Sequence, residues 1–126
     1  MTAGRLGVWM AAGFAVLASS AALAEGDPEA GAKVFNKCKA CHVATEEKNR
    51  VGPHLVGIVG RPAASVEGYK YSTAMAESGI VWDEEILDKY LASPKDVVPG
   101  GRMAFVGLRE EEDRADVIAY LKSAPQ

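Results

Sequence analysis

The sequence predicts a single all-α domain, and three observations support this prediction. Several short segments begin with helix-capping residues and continue with apolar residues at helical spacing. No segment alternates apolar and polar residues as a half-buried strand would. The connections between the helices are long and rich in glycine, yet apolar. We therefore expect helices joined by loops that pack around something, without a β-sheet.

The first two helices are predicted from their N-terminal residues. Asp27-Pro28-Glu29 has the order of an N-cap, a proline at the first helical position and an acid in the first turn. This pattern predicts a helix that runs to about Cys41. Ser72 can cap a second, short helix that continues to Glu77 and stops near Gly79.

Two further helices are predicted in the second half of the chain. One follows Asp83 and ends at Ser93-Pro94, because proline disfavours helix at the residue before it. The other runs from about Glu110 to Ser123, with an expected Glu110–Arg114 pair on its outer face. The expected buried faces are Ile86, Leu87, Tyr90 and Leu91 on one helix and Val117, Ile118 and Leu121 on the other.

The connections 43–71 and 93–108 do not fit a simple helical bundle. Loops longer than about 12–15 residues are uncommon in small domains unless they are functional or disordered. These two are too apolar for disordered linkers. A large, flat, apolar cofactor would give them a surface to wrap.

The N-terminal 24 residues predict an export signal. Arg5 is followed by an apolar run, a small-residue segment and the A-x-A sequence Ala22-Leu23-Ala24, and no acid occurs before Glu25. We expect cleavage after Ala24, with residues 1–24 as the signal peptide and residues 25–126 as the domain, located in the periplasm. A retained membrane anchor is the alternative.

Charge and size restrict the classes of partner. Without the signal, the chain keeps 13 basic and 17 acidic residues, a net charge of −4, which argues against nucleic acid or a broadly anionic surface. A domain this small often depends on a cross-link, a metal or a cofactor. Two free cysteines would tend to pair in an oxidising compartment, so their role has to be explained.

Both cysteines and one of the two histidines lie in the sequence CKACH, at Cys38, Cys41 and His42. On a helix these positions share one face, because they are spaced i, i+3 and i+4. The two thiols can add to the two vinyl groups of a porphyrin while the imidazole reaches its iron. C-x-x-C-H is the attachment motif of c-type haem, which predicts one covalently bound haem.

Three other interpretations of the cluster are open. Zinc would need a fourth ligand such as His54, and adjacent Cys41 and His42 rarely face one small tetrahedral ion. A thioredoxin-like redox pair should follow a strand in a βαβ unit, which the sequence lacks. A structural disulfide would leave His42 without a role.

The iron of a c-type haem can take a second axial ligand from the domain. Met75 and Met103 are its only methionines. Met103 lies in the glycine-rich sequence PGGRMAF, which can bring its sulfur close to a flat ring, whereas Met75 lies in a helical stretch where packing is its expected role. We predict Met103 as the ligand. His54 is the alternative, although a histidine beside Pro53 in a loop is more often a surface residue.

The residues resemble a known family, the class I cytochromes c, close to mitochondrial cytochrome c and to soluble cytochromes of bacterial photosynthesis and respiration. The resemblance covers residues 26–126. It rests on ordered blocks: Gly31 and Phe35, CKACH, GPHLVGIVGR (52–61), GYKYS (68–72), GIVWDEE (79–85), YLASPK (90–95), PGGRMAF (99–105) and RADVIAYLK (114–122). It implies a small cytochrome c fold whose N- and C-terminal helices cross, with long loops around the haem.

The resemblance also implies roles for individual residues. Pro53 would accept a hydrogen bond from His42 Nδ1 and so leave Nε2 for iron. Arg61, Tyr71 and Trp82 would hold the haem propionates, and Tyr90 would place its hydroxyl near the methionine sulfur. Gly31 would be the small contact between the crossing helices, with Phe35 and Tyr120 beside it.

Two positions depart from the pattern of the family. This chain has Met75 where many relatives have Asn, and Gly101 where many have Thr. We hypothesise that Met75 makes the haem pocket drier and raises the reduction potential. An unchanged potential in Met75→Asn would contradict this. We also hypothesise that Gly101 loosens the ligand loop, so that a lysine replaces Met103 at lower pH than in relatives; an unchanged alkaline transition in Gly101→Thr would contradict that.

The predicted function is a mobile one-electron carrier rather than an enzyme, and we expect a monomer. The resemblance implies a quinol–cytochrome c oxidoreductase as donor and a terminal oxidase or photosynthetic reaction centre as acceptor. These complexes would dock at a basic haem edge. Its residues are Lys37, Lys39, Lys95, Arg102 and Arg109. A haem peroxidase, a gas sensor and the haem subunit of a larger complex are the alternatives.

Overall fold

The structure is a computed structural model that describes residue 4, residues 7–15 and residues 25–125. Residues 7–15 contain neither helix nor strand and are exposed. The expected cleavage sequence 22–24 lies outside the described residues. Within the described part of the chain, no helix is long and apolar enough to cross a membrane.

The all-α prediction is confirmed for the described residues. They form α1 (Pro28–Val34), a 3₁₀ turn (Phe35–Lys37), α2 (Thr73–Ala76), α3 (Glu84–Ala92), α4 (Pro94–Val97) and α5 (Glu111–Ser123). The only strand-like pairing among these residues is an isolated bridge between Pro62 and Val81. Three helices begin at the residues that the sequence indicates. The side chains of Asp27, Ser72 and Asp83 accept hydrogen bonds from backbone N–H groups of their own helices.

The first helix is shorter than predicted. It ends at Val34 rather than near Cys41, and its hydrogen bonds tighten into the 3₁₀ turn. Val34, Phe35 and Asn36 are weaker helix formers than the alanine-containing turn before them, and helices often tighten in this way at their C-terminal end. The cysteines therefore lie in a turn that follows the helix.

Two further details of the helices differ from prediction. Ser93-Pro94 does end α3, but Pro94 also opens the short helix α4, because its fixed φ suits a first helical position. The expected Glu110–Arg114 ion pair is wrong. Arg114 Nε instead donates to Asp88 Oδ1 of α3 at 2.7 Å.

The crossing of α1 and α5 closes the fold, as expected. Gly31 is buried, and a Cβ at this position would overlap the backbone carbonyl of Asp116. The rings of Phe35 and Tyr120 pack beside the crossing, with centroids 5.3 Å apart. The N–H of Asp27 also donates to Asp116 Oδ1 at 2.8 Å. The buried apolar residues are Phe35, Ala44, Ile58, Trp82, Leu87, Tyr90, Val98, Leu108, Val117, Ile118 and Leu121.

Candidate functional site

The CKACH segment forms a hydrogen-bonded turn. The N–H of Cys41 donates to the Cys38 carbonyl at 3.1 Å, and the N–H of His42 donates to the same carbonyl at 2.9 Å. The segment therefore keeps the spacing of one helical turn although it lies beyond the helix. Both thiols are free and half-buried. Burial raises the pKa of the Cys38 thiol, while Lys37 opposes the rise.

The imidazole of His42 is oriented by a backbone carbonyl. Its Nδ1 lies 2.7 Å from the oxygen of Pro53. A carbonyl oxygen can only accept, so Nδ1 carries the proton and the lone pair is on Nε2. Burial lowers the pKa of His42, more than the hydrogen bond to Pro53 raises it, and Arg61 lowers it further. The ring is therefore neutral and its Nε2 is available as a metal ligand.

Gly52 belongs to this site and was not singled out from the sequence. A Cβ at Gly52 would overlap the His42 ring. The φ of Gly52 is outside the left-handed range, so its backbone conformation does not require glycine. The residue before a proline is held in extended backbone, which any residue adopts, so no local pattern marks Gly52 as a close contact of His42.

Met103 lies in the loop between α4 and α5 and contacts Tyr90. The Tyr90 hydroxyl donates to Met103 Sδ at 3.8 Å. Burial raises the pKa of Tyr90 to about 12, so this hydroxyl stays protonated and remains a donor at neutral pH. Tyr90 thus orients the sulfur that the sequence predicts as a ligand.

The two positions that depart from the family pattern lie close to this loop. Gly101 borders a cavity of about 10 Å³ that Tyr90, Lys95 and Met103 also line. A Cβ at Gly101 would be 3.1 Å from the carbonyl oxygen of Val98, so a larger residue there would need a small shift. Met75 is half-buried against the apolar core. Its effect on the reduction potential stays a prediction.

Arg61, Tyr71 and Trp82 are held in place by backbone interactions. Next to the Pro62–Val81 bridge, the N–H of Trp82 donates to the Arg61 carbonyl at 2.9 Å. The hydroxyl of Tyr71 accepts from the N–H of Val66 at 3.1 Å. The indole of Trp82 is buried. The three predicted propionate-binding residues are thus fixed by their loops before any ligand is considered.

The guanidinium of Arg61 tests whether the residues fit a haem. Its Nη1 and Nη2 donate to the carbonyls of Val56 and His54, at 2.9 and 3.1 Å. Its Nε is buried and finds no hydrogen-bond partner among the described residues. An unpaired buried donor is costly, and a propionate carboxylate would supply the missing acceptor. The site therefore fits the group.

His54 is occupied by local hydrogen bonds. Its Nδ1 accepts from the N–H of Val56 at 3.2 Å, and its own N–H donates to Asn49 Oδ1 at 3.0 Å. Among the described residues, no three His, Cys, Asp or Glu side chains are grouped so that they could hold a metal ion. The residues required by the zinc interpretation are not brought together.

The predicted docking residues are all exposed: Lys37, Lys39, Lys95, Arg102 and Arg109. Arg102 also donates to the carbonyl of Lys70. That bond links the ligand loop to the segment that precedes α2. The positive charge of these side chains therefore faces solvent, where a partner can meet it.

Comparison with known proteins identifies the family to which the site belongs. Residues 28–125 match the family model described as "Cytochrome c". The chain is 53% identical to cytochrome c2 of Rhodomicrobium vannielii over 110 residues, which are 86% of this chain and 88% of that protein. It is 58% identical over 102 residues to the c-type cytochrome cy of Rhodobacter capsulatus, covering 80% of this chain and 51% of that protein. The chain thus spans about half the length of this second relative.

A solved structure gives the same result. Cytochrome cH from Methylobacterium extorquens superposes with a TM-score of 0.75 at 47% identity, over 78% of this chain and 99% of that one. The expected fold class and covalent haem agree with these matches.

Proposed function

Because the chain belongs to the cytochrome c family, we propose that it is an exported one-electron carrier whose haem is attached to Cys38 and Cys41 and ligated by His42 and Met103. Members of this family bind one covalent haem c and carry electrons, and they are not enzymes. The peroxidase alternative is therefore set aside.

One observation supports the proposal most strongly. His42 follows Cys41 directly, and its Nδ1 is bonded to the Pro53 carbonyl, which leaves the Nε2 lone pair for a metal. In metalloproteins this second hydrogen bond fixes the tautomer and the ring orientation of a histidine ligand. Gly52 provides the space that the ring needs. Such an arrangement has no evident use in a disulfide or a packing role.

The haem, when bound, supplies the one-electron redox chemistry. The chain's own residues orient and bury it. Pro53 and Gly52 position the imidazole and Tyr90 positions the sulfur of Met103. Arg61, Tyr71 and Trp82 would hold the propionates. Two protein ligands that stay in place require little rearrangement between oxidation states, which suits a carrier.

The ligand set is tested by the visible spectrum of the ferric holoprotein. A sulfur bound to ferric haem iron gives a weak long-wavelength band. We expect this band in the wild type and in Met75→Ala, which removes the domain's other methionine. We expect it to be lost in Met103→Ala. A band that persists in Met103→Ala, or that is absent from the wild type, would overturn the assignment of Met103.

We further propose that the carrier is periplasmic and that residues 25–126 form the mature domain. Its partners would be a quinol–cytochrome c oxidoreductase and a terminal oxidase or photosynthetic reaction centre, which meet the exposed basic residues around Lys95 and Arg102. Mass spectrometry of the exported protein tests the boundary. A mature chain that begins at Glu25 is expected, and a chain that retains residues 1–24 would support the membrane-anchor alternative.

A further inference from the structure

Arg114 of α5 connects three parts of the domain. Its Nε donates to Asp88 Oδ1 of α3 at 2.7 Å. Its Nη1 donates to the backbone carbonyls of Leu108 and Arg109, at 2.9 and 3.0 Å. These two carbonyls lie at the end of the loop that carries Met103. One side chain therefore joins α3, α5 and the returning end of the ligand loop.

The same end of the loop is also fixed by the backbone of α3. The N–H of Leu108 donates to the carbonyl of Leu91 at 2.7 Å, and Leu108 is buried. Gly107 packs against the carbonyl of Ala92 so closely that a Cβ would overlap it. The φ of Gly107 is +128°, which also favours glycine. The loop is thus held where it rejoins the core, four to five residues after Met103.

The ion pair between Arg114 and Asp88 is protected from solvent. The two side chains are 14% and 25% exposed. Partly buried charges are screened less than exposed ones, and a planar guanidinium can serve a carboxylate and carbonyls in fixed directions at once. A lysine carries its three donors on one nitrogen, so it cannot place them where Nε and Nη1 of arginine lie. The geometry therefore depends on arginine and not only on positive charge.

We propose that Arg114 is a positioning residue that holds Met103 in place by locking the C-terminal end of its loop. This inference rests on the proposed function, because it assumes that Met103 is the ligand. Asp88 orients the guanidinium, and the guanidinium fixes the carbonyls of Leu108 and Arg109. Release of these carbonyls weakens the end of the loop, and once the Leu108 N–H also separates from Leu91, the segment that can move away with Met103 becomes longer.

The test is the rate at which imidazole replaces Met103 in the ferric holoprotein. At saturating imidazole this rate is limited by opening of the loop. We expect Arg114→Lys to accelerate opening about tenfold, since hydrogen bonds from a charged donor are lost. The Asp88→Asn variant keeps the arginine but removes its counter-ion and should accelerate opening by a smaller factor.

The matched control is Glu84→Gln. Glu84 Oε1 and Lys122 Nζ form another ion pair between α3 and α5, at 2.8 Å, with side chains 44% and 49% exposed. This pair does not touch the ligand loop. We expect Glu84→Gln to leave the opening rate unchanged. Equal acceleration in Glu84→Gln and Arg114→Lys would mean that any loosening of α3 against α5 opens the loop, and it would overturn the proposal.

A second measurement does not depend on the identity of the iron ligand. Amide hydrogen exchange at Leu108 reports whether the end of the loop is released. We expect about tenfold faster exchange at Leu108 in Arg114→Lys and wild-type exchange in Glu84→Gln. If the wild type lacks the long-wavelength band, the ligand assignment fails, whereas unchanged exchange at Leu108 would contradict the role of Arg114. If Arg114→Lys yields no holoprotein, Asp88→Asn decides by the same two readouts.

Discussion

At the scale of single residues, the absence of a side chain at Gly52 leaves room for the His42 ring. We predict that Gly52→Ala displaces the His42 ring, because its Cβ would overlap that ring. The expected cost is about 1–3 kcal/mol of unfolding free energy, as for overpacking elsewhere in protein cores. Because the His42 ring is displaced, the visible spectrum of the Gly52→Ala holoprotein should also differ from that of the wild type. Denaturant unfolding and the spectrum of the holoprotein measure both effects.

Gly79→Ala serves as the control for this experiment. Gly79 has a φ of +67° and open space around it, so alanine there is strained without meeting another atom. That variant should lose about 1 kcal/mol and keep a wild-type spectrum. If Gly52→Ala also kept the wild-type spectrum, the contact between Gly52 and His42 would have no part in orienting the ligand.

Tyr90 provides a pH-dependent prediction at the same scale. Burial raises the pKa of Tyr90 to about 12, whereas an unfolded tyrosine titrates near about 10. Between these values the folded protein holds more protons than the unfolded chain. Stability from the protonated hydroxyl is therefore complete below about pH 10 and is lost as the pH rises towards about 12, at roughly 1 kcal/mol per pH unit.

The measurement compares the wild type with Tyr90→Phe, which lacks the titrating group. We expect the unfolding free energy of the wild type to fall more steeply between about pH 10 and about pH 11 than that of the variant. Parallel pH curves would mean that the pKa of Tyr90 is not raised in the folded protein.

Near neutral pH the Tyr90→Phe variant should have a lower reduction potential than the wild type, by about 20–50 mV. The reason is that a hydrogen bond to the sulfur withdraws charge and favours ferrous iron.

At the scale of helices, the crossing of α1 and α5 reverses a familiar rule. Alanine in a helix is normally more stable than glycine by about 1 kcal/mol. We predict that Gly31→Ala instead destabilises the protein by about 1–3 kcal/mol, because its Cβ would overlap the carbonyl of Asp116. Denaturant unfolding measures the change. Lys33→Ala, at an exposed position of the same helix, should stay within about 0.5 kcal/mol of the wild type.

The helices also show what local sequence can and cannot predict. The caps at Asp27, Ser72 and Asp83 were predictable, because each side chain bonds to its own helix. The early end of α1 was not, since the CKACH spacing fits a helix as well as the turn that follows one. The partner of Arg114 was missed because Asp88 is 26 residues away and only the packing of α3 on α5 brings the two together.

At the scale of the whole molecule, we predict that the exposed basic residues, and not the negative net charge, decide how electron transfer depends on ionic strength. The chain has a net charge of −3, but Lys37, Lys39, Lys95, Arg102 and Arg109 are exposed. We expect electron transfer to anionic ferricyanide to slow by several-fold when ionic strength rises from about 10 mM to about 200 mM. Transfer from cationic hexaammineruthenium(II) should accelerate over the same range.

Charge-reversal variants assign the effect to one surface. Lys95→Glu should weaken the salt dependence with ferricyanide. Lys48→Glu, an exposed lysine outside the proposed docking residues, should leave it nearly unchanged. The same salt dependence in all three proteins would show that these lysines are ordinary solvated charges.

Most residues of the candidate site could be predicted, because they lie in short sequence motifs. Cys38, Cys41 and His42 are adjacent in sequence, and the family blocks place Met103 and Arg61. The sequence could not show that Arg61 uses both Nη atoms on backbone carbonyls and leaves its Nε buried without a partner. Nor could it show the space beside Gly52. Both features depend on the path of the loop that follows His42, which no local pattern encodes.

The contact between α1 and α5 has one more consequence, for the order in which the chain is made. Gly26 lies against Ala115, and α5 continues only to Ser123, about 12 Å further along. A linker of about five residues would join the two ends of the domain into a ring. Such a ring could be reopened in the exposed segment 45–50. If the permutant is exported as proposed for the natural chain, its two cysteines would cross the membrane last instead of first, so haem attachment would begin only after every loop that surrounds it had been exported.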